Sequence, residues 1–458
     1  MHHRVPRPAV CLCLRGACMR HVIIGSGPAG VIAAETIRKN APADDILLIG
    51  DEPAPPYSRM AIPHLLAGDI NEAGTHLRRE GGHFARLRIE QKYGRAVHVS
   101  SRTRTVKMDD GSAIAFDKLL IATGASPRIP PIPGIDFPGV HGCWTLDDAR
   151  RIMRLASPRA RVVLIGAGFT GCILMEALAK RGVDLTVIEK RDRMLPNMMG
   201  KAAGDMIQRW CERKGITIRT STRVTAIGSS LHDIGSPRVA RLSTGDQIPA
   251  DLIVYSAGTV PNISFLRGSG IRCLQGVVVD ASMETNIEGV YAAGDCAETF
   301  DSVSGRSFIS GVQPNAADQA YCAALNMTGR NAFQRGVRQI DVLDTMGLIS
   351  SSFGHWQGVR GGQWAEVADE RNFKYLRLEF SKDMLIGCNA VGLTEHASIL
   401  RGLIHQQVRL GDWKDRLLQD PTLLKEAYSE CVQQQYVHQA SAFYNPRGRT
   451  PEPVRQAV

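Results

Sequence analysis

Two glycine fingerprints constrain this chain more than any other feature. The first is His21-Val-Ile-Ile-Gly-Ser-Gly-Pro-Ala-Gly30, and the second is Arg161-Val-Val-Leu-Ile-Gly-Ala-Gly-Phe-Thr-Gly171. Each follows an apolar strand and opens a helical pattern, the context in which Gly-x-Gly-x-x-Gly binds a dinucleotide. One such unit binds a nucleotide. Two in one chain imply that one bound cofactor passes electrons to the other.

In the first fingerprint Gly25 makes the tight turn, Gly27 lets a pyrophosphate approach the backbone, and Gly30 lets helix and strand pack closely. Pro28 and Ala29 begin the helix, whose free N–H groups and positive end face the phosphates. The next strand ends in Asp51-Glu52. An acid there accepts hydrogen bonds from ribose hydroxyls; Asp51 is the first choice and Glu52 the second. In the second fingerprint these roles fall to Gly166, Gly168 and Gly171. Its following strand ends in Glu189, which would bond the free ribose hydroxyls of NADH and repel the extra phosphate of NADPH. Lys190, Arg191 and Arg193 follow directly and would either bind that phosphate or form a solvated turn; on the strength of Glu189, NADH is expected over NADPH.

The 458 residues suffice for two or three domains. No apolar run is long enough to span a bilayer, so the longest apolar stretches read as buried parallel strands. A net charge of +10 raises the question of nucleic acid, but the arginines are scattered and aromatics are only 6%. Nucleic acid is not expected, whereas an acidic protein partner suits a basic surface. The eleven cysteines form no framework and no C-x-x-C pair, which points to free thiols and a cytoplasmic location. The thirteen histidines are dispersed, and no metal site is expected. Residues 1–18 read as a dispensable leader, with translation starting at Met19, and residues 441–458 as a disordered tail.

Local patterns place a hairpin at 94–116 with Asp110-Gly111 as its turn, and helices near 60–68 and 315–328. Thr145 and Asp148 read as a capping box. The proline-rich segment 126–134 reads as a crossing between domains. Beyond 331, strands are expected at 337–353, 373–379 and 384–392, then helices near 394–409 and 412–435.

The motifs together resemble the two-dinucleotide-binding-domain flavoproteins, the superfamily of the pyridine nucleotide–disulfide oxidoreductases. The resemblance covers residues 19–330 through both fingerprints, Ala122-Thr-Gly124, Gly258-Thr-Val-Pro-Asn262 and Ala292-Ala-Gly-Asp295, all in family order. It implies FAD at the first site and NAD(P)H at the second. It also adds Thr123, Gly124, Gly258, Gly294 and Asp295 to the cofactor-binding set, with Asp295 on the ribityl chain. A helix starting near Asn315 would point its positive end at the isoalloxazine and stabilise negative charge on the reduced flavin.

Departures from the family narrow the function. Disulfide reductases carry a C-x4-C pair after the FAD acid, but no cysteine lies between Cys18 and Cys143 here. Relatives with one reactive cysteine place it where Met60 stands, and a thioether is no nucleophile. The stretch Pro55-Pro-Tyr-Ser-Arg59 instead resembles ferredoxin and rubredoxin reductases and the flavoprotein part of NADH-dependent nitrite reductase, which brings Arg59 into the cofactor set. Many relatives pair a lysine near flavin N5 with a glutamate on the NADH helix. His64 and Ile173 occupy those positions, so His64 and Glu176, the latter about one helical turn on, are the candidate catalytic pair; ordinary loop and helix roles are the alternative.

The expected fold is α/β: two Rossmann-like FAD and NAD(P)H domains of the three-layer ββα type, plus a C-terminal α+β domain. The FAD-binding domain would span 19–135 and 257–330, the NAD(P)H-binding domain 136–256, and the interface domain 331–440. The expected activity is hydride transfer from NADH to FAD, then release of electrons to an external ferredoxin-like, rubredoxin-like or haem protein, or to a small-molecule acceptor. Alternatives are nitrite or quinone reduction, or a slow flavin-binding redox scaffold. The C-terminal domain is expected to mediate homodimer formation or partner docking.

Overall fold

The computed structural model describes residues 18–229, 238–300, 307–334, 336 and 340–431. All but one residue of the expected leader, and the whole expected tail, lie outside that set. The first fingerprint sits in a five-stranded parallel sheet. Its spatial order is Val290–Ala292, Lys118–Ile121, Arg20–Ile24, Asp45–Gly50, Ile89–Tyr93. Val22, Ile23, Leu119, Leu120 and Ile121 are fully buried, as expected of strands covered on both faces. On one face helix Pro28–Asn40 packs against helix Gln313–Met327. An antiparallel meander over 96–115 supplies the third layer; its turn is Asp110-Gly111, where Gly111 has φ +82°.

The second fingerprint repeats the plan. Thr217–Arg219, Asp184–Ile188, Arg161–Ile165, Leu252–Tyr255 and Val140–Gly142 form another parallel sheet, backed by the antiparallel strands Val224–Gly228, Arg238–Leu242 and Gln247–Ala250. The two halves are joined by paired segments, Ala125–Pro127 against Thr259–Pro261. Thr123 Oγ1 donates to the Asn262 carbonyl at 2.7 Å, and Asn262 Nδ2 returns a bond to the Thr123 carbonyl at 3.0 Å. Helix Leu146–Leu155 starts with the full capping box, Thr145 and Asp148 each bonding the other's backbone.

The C-terminal region is a five-stranded antiparallel sheet. Its order is Ile340–Thr345, Leu348–Gly354, Met384–Val391, Lys374–Ser381, Gln363–Asp369. Helix Ala397–His405 packs on the central strands and Trp413–Gln419 on the last. Leu343, Leu348, Phe373, Tyr375 and Val391 instead join the core of the second-fingerprint domain. Buried Asn389 locks this contact, accepting from the Gly200 N–H at 2.8 Å and donating to the Met198 carbonyl at 3.0 Å.

Two expectations need correction here. Strand Gln363–Asp369 was not foreseen; it is an edge strand with only Ala365 buried, so its sequence lacks the usual alternation. The single helix near 412–435 breaks after Gln419 and resumes at 424–431. Asp420 is extended because it precedes Pro421, whose ring disfavours a helical residue before it.

Candidate active site

The fingerprint glycines are demanded first by backbone packing. Gly25 has φ +113°, and a Cβ there would lie 2.0 Å from the Ala122 carbonyl oxygen. Gly166 matches it, with φ +105° and the Ser256 carbonyl at 2.3 Å. Gly27 and Gly168 differ in kind: a Cβ at either would meet nothing within 4 Å. No protein neighbour requires glycine there, so close approach of a ligand remains as the reason, and both backbones fit a pyrophosphate. Each of these two residues is the extended N-cap of its helix and has no side chain to cap it, leaving the first N–H groups free.

A cavity of about 520 Å³ opens above the first fingerprint. Its wall includes Gly25, Gly27, Pro28, Ala29, Asp51, Glu52, Arg59, Thr123, Gly124, Gly294 and Asp295. Segments far apart in sequence are thus gathered around one space. Gly30 lies beneath the wall, where its role is packing: a Cβ would sit 1.8 Å from the Gly25 carbonyl oxygen. Gly258 turns outside the cavity with φ +93° and accepts from the Arg128 N–H at 2.8 Å.

Two residues that sequence reasoning did not select, Tyr57 and Trp144, complete this wall around Arg59. The Tyr57 hydroxyl donates to Glu52 at 2.6 Å, and Arg59 bonds Glu52 at 2.6 Å, the Tyr57 hydroxyl at 3.0 Å and the Trp144 carbonyl at 2.8 Å. Burial pushes the Tyr57 hydroxyl up, opposed by the neighbouring Arg59 charge. Trp144 Nε1 donates to the Ala125 carbonyl at 2.8 Å, so the indole is held in place. No local pattern carries the position of Trp144 on the cavity. Glu52 is therefore engaged internally, whereas Asp51 stands half-exposed at the rim, 3.3 Å from Arg95. That division favours Asp51 as the group free to meet a ribose.

Asp295 is a carboxyl on an interior wall, and burial raises its pKa while the Arg59 charge opposes the rise. Cys143 is also on the wall, with its thiol pushed up to about 12 by burial, so it is protonated at neutral pH and a poor nucleophile. Met60 borders the same space. All described cysteines are free thiols.

The second fingerprint approaches this cavity through the first turns of helix Phe169–Lys180, where Phe169, Thr170, Ile173 and Leu174 form part of the wall. Glu189 lies away from it, buried, its carboxylate accepting from the Ala167 and Arg191 N–H groups, each at 2.8 Å. It holds the glycine loop against the strand end, where a ribose would bind.

His64 and Glu176 are not brought together, and neither borders the cavity. His64 is exposed, with Nδ1 3.4 Å from the Asp69 carboxylate. Glu176 accepts from the Met346 N–H at 3.1 Å and lies 3.5 Å from Lys180, which itself pairs with Asp69 at 3.3 Å. Three residues carry Glu176 about 4.5 Å further along the helix than Ile173, with a net rotation of only about 60°, so it meets the C-terminal sheet rather than the cavity. Ile62 and Pro63 take the wall positions on the other helix. The expected catalytic pair is thus a surface and interdomain feature in this chain. Among the described residues no group of side chains is arranged to hold a metal ion.

Fold, fingerprints and cavity together define a flavin- and nicotinamide-dependent oxidoreductase. The sequence profile of the family described as pyridine nucleotide-disulphide oxidoreductase matches residues 19–323, and the chain belongs to that family. It is 34% identical over 323 residues to rhodocoxin reductase of Rhodococcus erythropolis, covering 70% of this chain and 74% of that protein. It is 29% identical over 411 residues to the epsilon subunit of NADH-dependent phenylglyoxylate dehydrogenase of Aromatoleum evansii, covering 88% of this chain and 95% of that subunit. The covalent putidaredoxin reductase–putidaredoxin complex contains a chain of the same fold, with TM-score 0.81 at 22% identity, covering 91% of this chain and 99% of that one.

Proposed function

We propose that this chain takes hydride from NADH onto FAD and passes the electrons singly to an external iron–sulfur carrier protein. The observation that carries the reading is one cavity shared by the first fingerprint and the first turns of the second fingerprint's helix, with Cys143 its only cysteine among the described residues. When bound, FAD supplies the two-electron to one-electron conversion. The chain supplies placement and charge. Gly27 and the first turn of helix Pro28–Asn40 hold the pyrophosphate, Asp51 the ribose, and Asp295 the ribityl chain. Gly168 and Glu189 hold NADH at its adenosine half. Ile173 and Leu174, apolar on the cavity wall, would exclude water from the bound rings. Helix Gln313–Met327 begins on the cavity wall and turns its positive end into it.

We assign FAD to residues 19–135 and 257–330, NADH to 136–256, and partner docking or homodimer contact to 331–440. No helix among the described residues is long and apolar enough to cross a membrane. The free thiols support a cytoplasmic location. A second reading is a flavoprotein subunit of a larger NADH-linked dehydrogenase. The likeness to the epsilon subunit favours it, because that match extends through nearly all of both chains.

The test is anaerobic. The purified protein is expected to be yellow and to bleach with NADH at least ten times faster than with NADPH. The NADH-reduced protein is then offered ferredoxins, rubredoxin, a haem protein, quinone and nitrite. Fast reoxidation by an iron–sulfur protein supports the carrier reading. Slow bleaching by both nucleotides, or reoxidation by none of the acceptors, sinks it.

A further inference from the structure

We propose that Asp341 is the charged group through which the C-terminal domain sets how readily the flavin of this chain is reduced. The inference rests on the assignment of FAD to the cavity. Of the carboxylates on the wall, Glu52 is bonded to Tyr57 and Arg59, Asp51 lies at the rim near Arg95, and Asp295 belongs to the ribityl site. Asp341 is the fourth, and no described residue offers it a hydrogen bond or an ion pair.

It arrives from the C-terminal domain, on strand Ile340–Thr345, which packs against helix Phe169–Lys180. The first turns of that helix, and Gln313 at the start of helix Gln313–Met327, border the same cavity. The carboxyl therefore sits where the nicotinamide helix, the flavin helix and the C-terminal domain meet. The wall it shares includes the apolar side chains of Ile62, Pro63, Ile173, Leu174 and Val342. On the two helices that meet here, Ile173 is apolar and His64 lies outside the cavity. Burial raises the Asp341 pKa.

Hydride transfer leaves NAD⁺ and adds one negative charge to the flavin; two electrons then depart singly to the carrier, and one proton goes to water. A carboxylate among apolar side chains is weakly screened. Ionised, Asp341 opposes the charge that reduction adds, works against the positive helix end at Gln313, and favours onward release of electrons. The other charged groups on the elements around it are Asp344 on its own strand, Arg59, Glu52, Asp51 and Asp295 on the wall, and Glu176 and Lys180 on the helix beneath its strand. The adjacent strand Leu348–Gly354 carries no charge.

The experiment is an anaerobic dithionite titration of FAD absorbance against reference dyes, on the full-length holoprotein at pH 8. Asp341→Asn is expected to make reduction about tenfold easier, an upward shift of about 30 mV for a two-electron couple. Asp341→Glu is expected to keep the wild-type potential, and the gap between Asn and wild type to close on acidification, when both side chains are neutral. If Asp341→Asn loses FAD, Asp341→Ser supplies the neutral variant. A neutral variant with the wild-type potential at pH 8 overturns the proposal. Since dithionite replaces NADH, failure of the NADH assignment leaves this result intact. A wild-type protein that holds no FAD refutes the flavin assignment instead.

Discussion

Gly25 and Gly166 turn the chain in the same way, at φ +113° and +105°, and both are followed by an open glycine at the N-cap of a helix. The acids that complete the two sites live differently. Asp51 stands at the rim of a deep cavity with a solvent-exposed arginine nearby. Glu189 is 5% exposed and bound to two backbone N–H groups of its own domain. One acid is available to a ligand and contributes little to the fold; the other is part of the fold before any ligand arrives. A cofactor that stays bound is enclosed by its protein, whereas one that comes and goes needs a loop already shaped to receive it.

Substitutions at the glycines should separate packing from binding most sharply. Gly25→Val would place side-chain atoms inside the Ala122 carbonyl at a left-handed φ, and is expected to cost about 3 kcal/mol or more. Thermal melts should show a large loss of stability together with loss of FAD. Gly27→Val should melt near wild type but purify without FAD, while Gly168→Val should keep FAD and raise KM for NADH by about tenfold. Loss of FAD from Gly168→Val would erase the distinction between the two sites.

The acids provide the next test. Glu189→Ala leaves two N–H groups without their acceptor and is expected to destabilise the protein by about 2 kcal/mol. Asp51→Ala should change stability by no more than about 0.5 kcal/mol while weakening FAD binding. Denaturant midpoints and FAD titration of the apoprotein measure both. Equal stability losses would contradict the contrast.

Asp295 adds a pH dependence of definite sign. Its folded pKa is raised, chiefly by burial. Without FAD, its ionisation therefore opposes folding: the penalty is absent below the unfolded aspartate pKa and complete above the folded one. Flavin-free Asp295→Asn should melt higher than wild type near pH 7, with the advantage vanishing toward pH 4. It should also bind FAD more weakly. An advantage that grows on acidification would reverse the assignment. The smallest effect is expected at His64: His64→Ala should alter the rate of flavin reduction by NADH by less than about twofold, since the ring is exposed and its ion pair is weak. A tenfold loss in stopped-flow measurements would restore it to the site.

Much of the first site was legible because its signals are local. Glycines at fixed spacing, an acid after the next strand and the proline-rich loop each announce themselves within a few residues. The C-terminal domain was less legible: strand Gln363–Asp369 is an edge with almost no buried face, and Pro421 interrupts a helix whose charge pattern runs on past it. The expected His64–Glu176 pair failed for a different reason. A match by position in sequence ignored the rise along a helix, and three residues beyond Ile173 the carboxylate of Glu176 meets the Met346 amide rather than the cavity.

The sequence by itself determined that two dinucleotide folds occur in this chain and that no paired thiols follow the first, because both facts reside in short, contiguous patterns. Only the tertiary structure decided which side chains share the cavity. Arg59 joins Tyr57 to Trp144, far apart in sequence, and Asp341 reaches the same space from a strand of the C-terminal sheet. Such a site is made by the packing of sheets and helices against one another, and the directions in which their side chains then point are not carried by any one segment.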